Sequence, residues 1–243
     1  MTVSCLALAR SHAIAAEIST KLSSPRVAGI LTPPYSKSTL SLALHVLEPT
    51  PKGIVIGPLF SEHADEVIQT FEQVQKELGV EGGVAWCLPP SVLADGGIEG
   101  VAKWTREHFE SAGIALDETP MTCLPSSLVL GKHREIARDF GATLSDLCTL
   151  SGIYVDDFSE AAVSQALHLM HPAPRVMLVG GGFLDDAPKA KALFEHFWQT
   201  NPDRKGAEEG TAFVSVDPSI WKEKGKEGVA EHLRKGIKKG LSL

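Results

Sequence analysis

The sequence predicts an α/β fold: a doubly wound, mainly parallel sheet with helices on both faces, in a single domain. Three observations carry this. Short β-branched or apolar runs alternate with longer runs of helical period. Glycine, proline and capping residues punctuate the boundaries between them. The 243 residues, 43% hydrophobic and 22% charged, have an ordinary globular balance and enough length to cover a sheet on both sides.

The first strand is V-S-C-L-A-L-A at 3–9. Ser11 stands where it can N-cap a helix whose Ile14, Ala15, Ile18 and Leu22 share a face. R-V-A-G-I-L at 26–31 is the second strand. The polar loop T-P-P-Y-S-K-S-T leads into a helix ending at Leu47, stopped by Pro49 and Pro51. G-I-V-I-G at 53–57 is the third strand. A helix is expected over 61–78, capped by Ser61, with Glu62, Asp65 and Glu66 at its positive end and Gly79 after it. G-V-A-W-C-L at 83–88 is the fourth strand, and 99–112 a helix that turns Val101 and Trp104 inward.

Beyond that, a short strand is expected at 121–125. A helix is expected at 132–150, with Gly141 as its breaking point. A strand at 153–155 ends in Asp156-Asp157, and a helix follows at 159–170. R-V-M-L-V at 175–179 is a strand running into Gly180-Gly181-Gly182. A helix at 187–198 carries Pro188 in its first turn. A flexible polar loop at 201–210, a last strand at 211–216 and a basic helix at 221–241 complete the chain. The basic helix reads as a solvated face or as a contact for an acidic partner. The chain reads without an internal repeat or low-complexity segment.

The net charge of −7 gives no support to a nucleic-acid or membrane-surface role. Cys5, Cys87, Cys123 and Cys148 have no C-x-x-C spacing and read as reduced thiols of a cytoplasmic protein. No run approaches the ~20 apolar residues of a membrane span. No basic region precedes the first apolar run, so no signal peptide is expected. The histidines form neither H-x-x-x-H nor H-E-x-x-H, and no metal site is expected.

Five stretches carry a resemblance. They are L-A-R-S-H-A-I-A at 8–15, the helix and strand between Asp65 and Pro90, L-V-L-G-K at 128–132, R-V-M-L-V-G-G-G-F-L-D-D at 175–186 and T-A-F-V-S-V-D-P-S at 211–219. In order and spacing they resemble the short-chain dehydrogenase/reductase family. The resemblance implies a Rossmann-like fold, an NAD(P) cofactor and a Tyr/Lys pair. The alternative is another Rossmann-like or flavodoxin-like α/β fold. The chain departs from the family at each signature. The family's T-G-x-x-x-G-I-G keeps its isoleucine as Ile14, while Ala9, Ala13 and Ala15 stand at the glycine positions. Cys87-Leu88-Pro89-Pro90 replaces N-N-A-G. Lys132 keeps the lysine of Y-x-x-x-K without its tyrosine, and the only tyrosines are Tyr35 and Tyr154.

These departures have chemical meaning. Alanine methyls intrude where glycine lets the backbone approach a pyrophosphate, so NAD(P) is not expected to bind in the standard way. Arg10 and Ser11 stand at a helix N-terminus, where an anion can be held. Tyr35 and Lys37 lie in the loop that chooses between NAD and NADP in a Rossmann fold. Asp156 and Asp157 end a strand at the carboxyl edge, where a carboxylate can act as general base. Lys132, His12 and Ser126 complete the catalytic candidates. Trp86, Cys87, Gly181 and Phe183 are the expected pocket lining. The glycine triplet lets the backbone approach a ligand or simply turns sharply.

Three functions fit. The first is a small-molecule enzyme of non-redox acid/base chemistry (isomerisation, cyclisation or elimination). The second is an NAD(P)H reductase with atypical cofactor contacts. The third is a non-catalytic interaction protein. A small-molecule ligand is expected as partner, with no nucleic acid and no membrane, and the resemblance implies a homo-oligomer.

Overall fold

The apolar runs form parallel strands, each followed by a helix, as the α/β pattern demands. The computed structural model describes residues 3–116, 124–204 and 210–243. The strands lie in two four-stranded sheets rather than the one sheet expected, and the chain divides into two compact units, one up to residue 122 and one from 123.

The first unit runs β1 (Ser4–Leu8), α1 (His12–Lys21), β2 (Arg26–Leu31), α2 (Lys37–Val46), β3 (Gly53–Ile56), α3 (Ala64–Glu77), β4 (Val84–Cys87) and α4 (Pro90–Ser111). Its sheet order is β2-β1-β3-β4, all parallel. Parallel connections are right-handed. The chain steps from β1 to β2 in one direction and from β2 through β3 to β4 in the other. That reversal puts α1 on one face and α2 and α3 on the opposite face. The contacts agree: α1 packs on α4, and α2 on α3. The reversal falls between β1 and β3, and the carboxyl ends at such a point are where open α/β sheets take ligands.

The second unit runs β5 (Ser126–Leu130), α5 (Arg134–Thr143), β6 (Thr149–Tyr154), α6 (Glu160–Leu169), β7 (Val176–Val179), α7 (Ala187–Thr200), β8 (Ala212–Ser215) and α8 (Pro218–Gly240). Its order is β6-β5-β7-β8, again all parallel. Helix α6 packs on α7. On the other face Ala137 and Phe140 of α5 share a core with Val229 and Leu233 of α8.

The two units repeat one another element by element, which corrects the expectation of no internal repeat. Ala43-Leu44-His45 returns as Ala166-Leu167-His168, and Pro49-x-Pro51 as Pro172-x-Pro174. The first proline of each pair follows a cis peptide. Ser4 Oγ donates to the Pro49 carbonyl and Ser126 Oγ to that of Pro172, each at 3.0 Å. Gln75 Nε2 donates to the Pro51 carbonyl at 3.0 Å, and Trp198 Nε1 to that of Pro174 at 3.2 Å. The ladder slips by one residue at Cys5/Leu6 and at Ser127/Leu128. Such agreement in side-chain ties, caps and bulges marks a tandem repeat of roughly 120 residues.

Ser11, Ser36 and Ser159 cap α1, α2 and α6, each accepting from a backbone N–H. Several boundaries differ from expectation, among them the start of β6 at Thr149 rather than 153 and of α8 at Pro218 rather than 221. Ser61 does not cap α3. It lies in a 3₁₀ turn, Pro58–His63, where its Oγ donates to the Pro58 carbonyl. Helix α4 begins at Pro90 and bends at Gly97, whose φ of 57° interrupts the helical run. The long helix expected at 132–150 ends at Thr143, because β6 begins at Thr149. Gly141 stays inside it, where a Cβ would press on Leu150 at 2.7 Å. The strand expected at 121–125 falls outside the described residues over 121–123, and Leu124 and Pro125 precede β5. Half of the loop expected at 201–210, residues 205–209, also lies outside them. No helix among the described residues is long and apolar enough to cross a membrane.

Candidate functional site

The second unit gathers its chemistry at the carboxyl ends of β5, β6 and β7. Beyond the strands the ladder continues: Gly131 N–H donates to Tyr154 O at 3.0 Å, and Gly180 N–H to Leu130 O at 2.8 Å. These bonds hold the three loops side by side. Lys132 follows β5, Asp157 follows β6, and Phe183 sits in the 3₁₀ turn Gly181–Phe183 after β7. Lys132 Nζ lies 2.7 Å from Asp157 Oδ1 and 4.7 Å from the centre of the Phe183 ring. Its aliphatic stem runs over Gly182, where a Cβ would stand 2.7 Å from Lys132 Cγ. Tyr154 Oη donates to the Asp157 carbonyl at 2.6 Å and so fixes the loop that carries the carboxylate.

The electrostatics follow from these contacts. The hydrogen bond from Lys132, and then its charge, hold the Asp157 carboxyl below the usual range. Burial pushes the Tyr154 phenol up, and the charge of Asp156 adds to the rise. The Lys132 side chain is 38% exposed and that of Asp157 fully exposed, so water screens the pair and it orients more than it stabilises. The arrangement offers a fixed cation over an aromatic face, with a carboxylate beside it.

The remaining expected residues are distributed between the units. Asp156 is exposed next to Asp157. Ser126 sits at the opposite end of β5, buried, with its hydroxyl given to the Pro172 and Ala173 carbonyls, so it is a structural tie outside this group. The glycine triplet is packed against protein: Gly180 lies on the Leu130 carbonyl, Gly181 on the Pro218 ring and Gly182 on Lys132. Phe183 is 1% exposed, so its edge belongs to the core.

In the first unit Ser11 caps α1, Arg10 is exposed just before it, and His12 opens the helix. Tyr35 stacks on His63 with ring centres 4.7 Å apart and meets Phe60 edge-on at 6.4 Å. Among the described residues its buried hydroxyl has no hydrogen-bond partner, and burial, then the Glu66 charge, push its pKa up. Lys37 opens α2, exposed. Trp86 packs on Phe109 at 4.8 Å as core, and Cys87 is exposed at the end of β4.

The residues do not fit a standard dinucleotide. That site needs two mononucleotide halves in one sheet, whereas each sheet here has four strands. In the turn itself Ala15 is buried in the core, and the Ser11 side chain already takes the Ile14 N–H. The pairing of Lys132 with Asp157, Tyr154's tie to the same loop and the correspondence of Arg10 with Lys132 were missed by sequence reasoning. The repeat was the signal that would have found the last. Elsewhere, an open hollow of about 320 Å³ lies along α4, bordered by Val92, Asp95, Gly96, Gly100, Trp104 and Glu107.

No family profile matches this chain, and no curated protein matches it. Among solved structures it is similar to a crystal structure described as a mutation variant of SsGBP. The two are 12% identical over 98% of this chain and 87% of that one, with a TM-score of 0.23. A likeness at that level carries no argument about fold or function.

Proposed function

We propose that this protein is a small-molecule enzyme of non-redox acid/base chemistry, with its anionic ligand held at the carboxyl edge of the second sheet. One observation carries the proposal: Lys132 stands 2.7 Å from Asp157 Oδ1, over the ring of Phe183, beyond the carboxyl ends of β5, β6 and β7. In this role Lys132 takes the ligand's carboxylate or phosphate, or the oxygen of a carbonyl that it polarises. Its attention shifts from Asp157 to the ligand. Asp157, ionised at neutral pH, then removes a proton from the carbon next to that carbonyl; returning it to another atom of the resulting enolate is an isomerisation, and passing it to a group expelled from the neighbouring carbon as the double bond forms is an elimination. The phenol of Tyr154 supports this reading over a reductase. Its proton is given to a backbone carbonyl and its pKa is raised, whereas hydride chemistry of the resembled family needs a phenol made more acidic by its lysine.

Mass spectrometry of the protein as purified tests the proposal, with a co-purified anionic metabolite as the expected finding. Lys132→Met is expected to lower the affinity for that metabolite at least about tenfold. Asp157→Asn is expected to keep the affinity and lower turnover by about 10²- to 10⁴-fold. Unchanged occupancy in Lys132→Met would place the ligand elsewhere, and tight NADPH binding would favour the reductase.

A further inference from the structure

Lys132 and Asp157 make one side of the second unit's carboxyl edge polar. The other side is apolar. Helices α5 and α8 run side by side and in the same direction, because Lys226 Nζ pairs with Asp139 Oδ2 at 3.0 Å and, about two turns further along both, Arg234 Nη1 pairs with Asp146 Oδ2 at 2.8 Å. The groove between them therefore opens where both helices begin, beyond the ends of the strands. Ile136, in the first turn of α5, and Trp221, in the first turn of α8, stand at that opening.

Both are large apolar side chains left in water: Ile136 is 43% exposed and Trp221 46%. Further down, the same two helices close on each other, and Ala137, Phe140, Val229 and Leu233 are buried. The contact of Trp221 with Phe140, ring centres 6.2 Å apart and planes at 71°, anchors the indole on this core without covering it. The bend at Gly225, φ 63°, separates the segment that carries Trp221 from the segment that buries Val229 and Leu233. Apolar side chains scattered singly over a surface are ordinary, whereas a group of them rimmed by polar residues marks a binding surface.

The chain joins this opening to Lys132. Gly181 and Gly182 are neighbours in the turn after β7. A Cβ on Gly182 would stand 2.7 Å from Lys132 Cγ, and one on Gly181 2.9 Å from Pro218 Cγ, so the lysine stem and the proline ring rest on adjacent residues. Trp221 is one helical turn, about 5 Å of rise, past Pro218. From the other side, Ile136 follows Lys132 by four residues and lies at most about 14 Å from it, Cα to Cα. One elongated small molecule can span the cation and the apolar opening.

We propose that the ligand of this site is an anion with a flat aromatic body, its charge held by Lys132 and its ring lying on Trp221 beside Ile136. This rests on Lys132 as the anion holder and supplies the other half of the ligand. A ring fits better than an alkyl chain because the indole offers a wide, rigid face on which another ring stacks. Trp221 touches no reacting atom and sets specificity.

Acetate and the ω-phenylalkanoates from phenylacetate to 6-phenylhexanoate test this, titrated against the full chain by NMR. The indole N–H signal of Trp221, identified by its loss in Trp221→Phe, reports on the opening. The carboxylate is the same throughout, so only the ring and its distance from the charge vary. At least one chain length is expected to bind about tenfold tighter than acetate or better, and to move the Trp221 signal. Trp221→Ala is expected to remove that gain and leave acetate binding unchanged, and Trp221→Phe to keep most of it. Lys132→Met is expected to weaken every member of the series. If Lys132→Met weakens the series but the ring adds nothing, or the gain survives Trp221→Ala, the inference is overturned while the anion site stands. If no member binds, or Lys132→Met changes none of the affinities, the anion site falls and the inference with it.

Discussion

Gly57 and Gly180 occupy the same place in the two units, and both let the chain cross the end of a neighbouring strand. The Gly57 N–H donates to Leu8 O, and a Cβ there would stand 2.5 Å from that oxygen. The Gly180 Cβ would stand 3.3 Å from Leu130 O, a tight contact that a small shift relieves. Gly57→Ala is therefore expected to cost about 1–3 kcal/mol and Gly180→Ala less, measured as the shift in denaturant midpoint. The thiols make a second prediction at this scale. Burial pushes Cys5 up to about 12 and raises Cys148 too, while Cys87 is exposed. With Cys123 replaced by serine, one thiol is expected to label rapidly in the folded protein and two only on unfolding. A second fast thiol would mean that β1 or the turn before β6 opens. Lys132 and Asp157 were each legible in the sequence as residues at strand ends. Their pairing was not, because it depends on β6 lying beside β5, and strand order is not written in either residue.

At the scale of elements, most strands and helices were legible because burial imposes period and caps impose boundaries. The R-V-A-G-I-L strand and the helix capped by Ser159 follow these signals closely. The failures have physical causes too. Ser61 looks like an N-cap, but Pro58 starts a tighter 3₁₀ turn first, and the helix proper begins only at Ala64. Periodicity could not end α5, since Leu144 and Leu147 continue its apolar face through the turn and are buried there. The bends in α4 and α8 rest on single glycines. Gly97 has φ 57° and open space around its missing Cβ, so the penalty for a side chain there is purely conformational. Gly97→Ala is expected to cost about 1–3 kcal/mol, and Gly97→Asn as much, because φ 57° with ψ −152° lies outside the left-handed helical region that asparagine tolerates, measured by thermal or denaturant unfolding. A cost near zero would mean that the bend relaxes to another backbone shape.

For the whole molecule, the α/β class was legible and the division into two sheets was not. Apart from S-x-L-x-L at 4–8 and 126–130 and G-I at 29–30 and 152–153, matching strands in the two units share little beyond the apolar character that any parallel strand has. The loops at the carboxyl edge differ outright: Pro33-Pro34 stands where the second unit has Asp156-Asp157. The stretch around the end of α2 and α6, with its A-L-H and P-x-P, repeats in letters most plainly. Each unit closes its own sheet and its own core. Fragments 1–122 and 123–243 are therefore each expected to unfold cooperatively by themselves, read by calorimetry and circular dichroism. A fragment without a cooperative transition would show that its sheet depends on the other half.

The Ser4 and Ser126 hydroxyls, each tied to a proline carbonyl, bear on synthesis at the ribosome. The first unit's strands are all made before any of the second emerges. At about 5–20 residues per second, the second half takes roughly 6–24 s to complete. The first half can lock its tie to Pro49 in that interval, before a look-alike partner, the Pro172 turn, has been translated. Mispairing between similar neighbours is the characteristic hazard of duplicated chains, and here the order of translation itself reduces it.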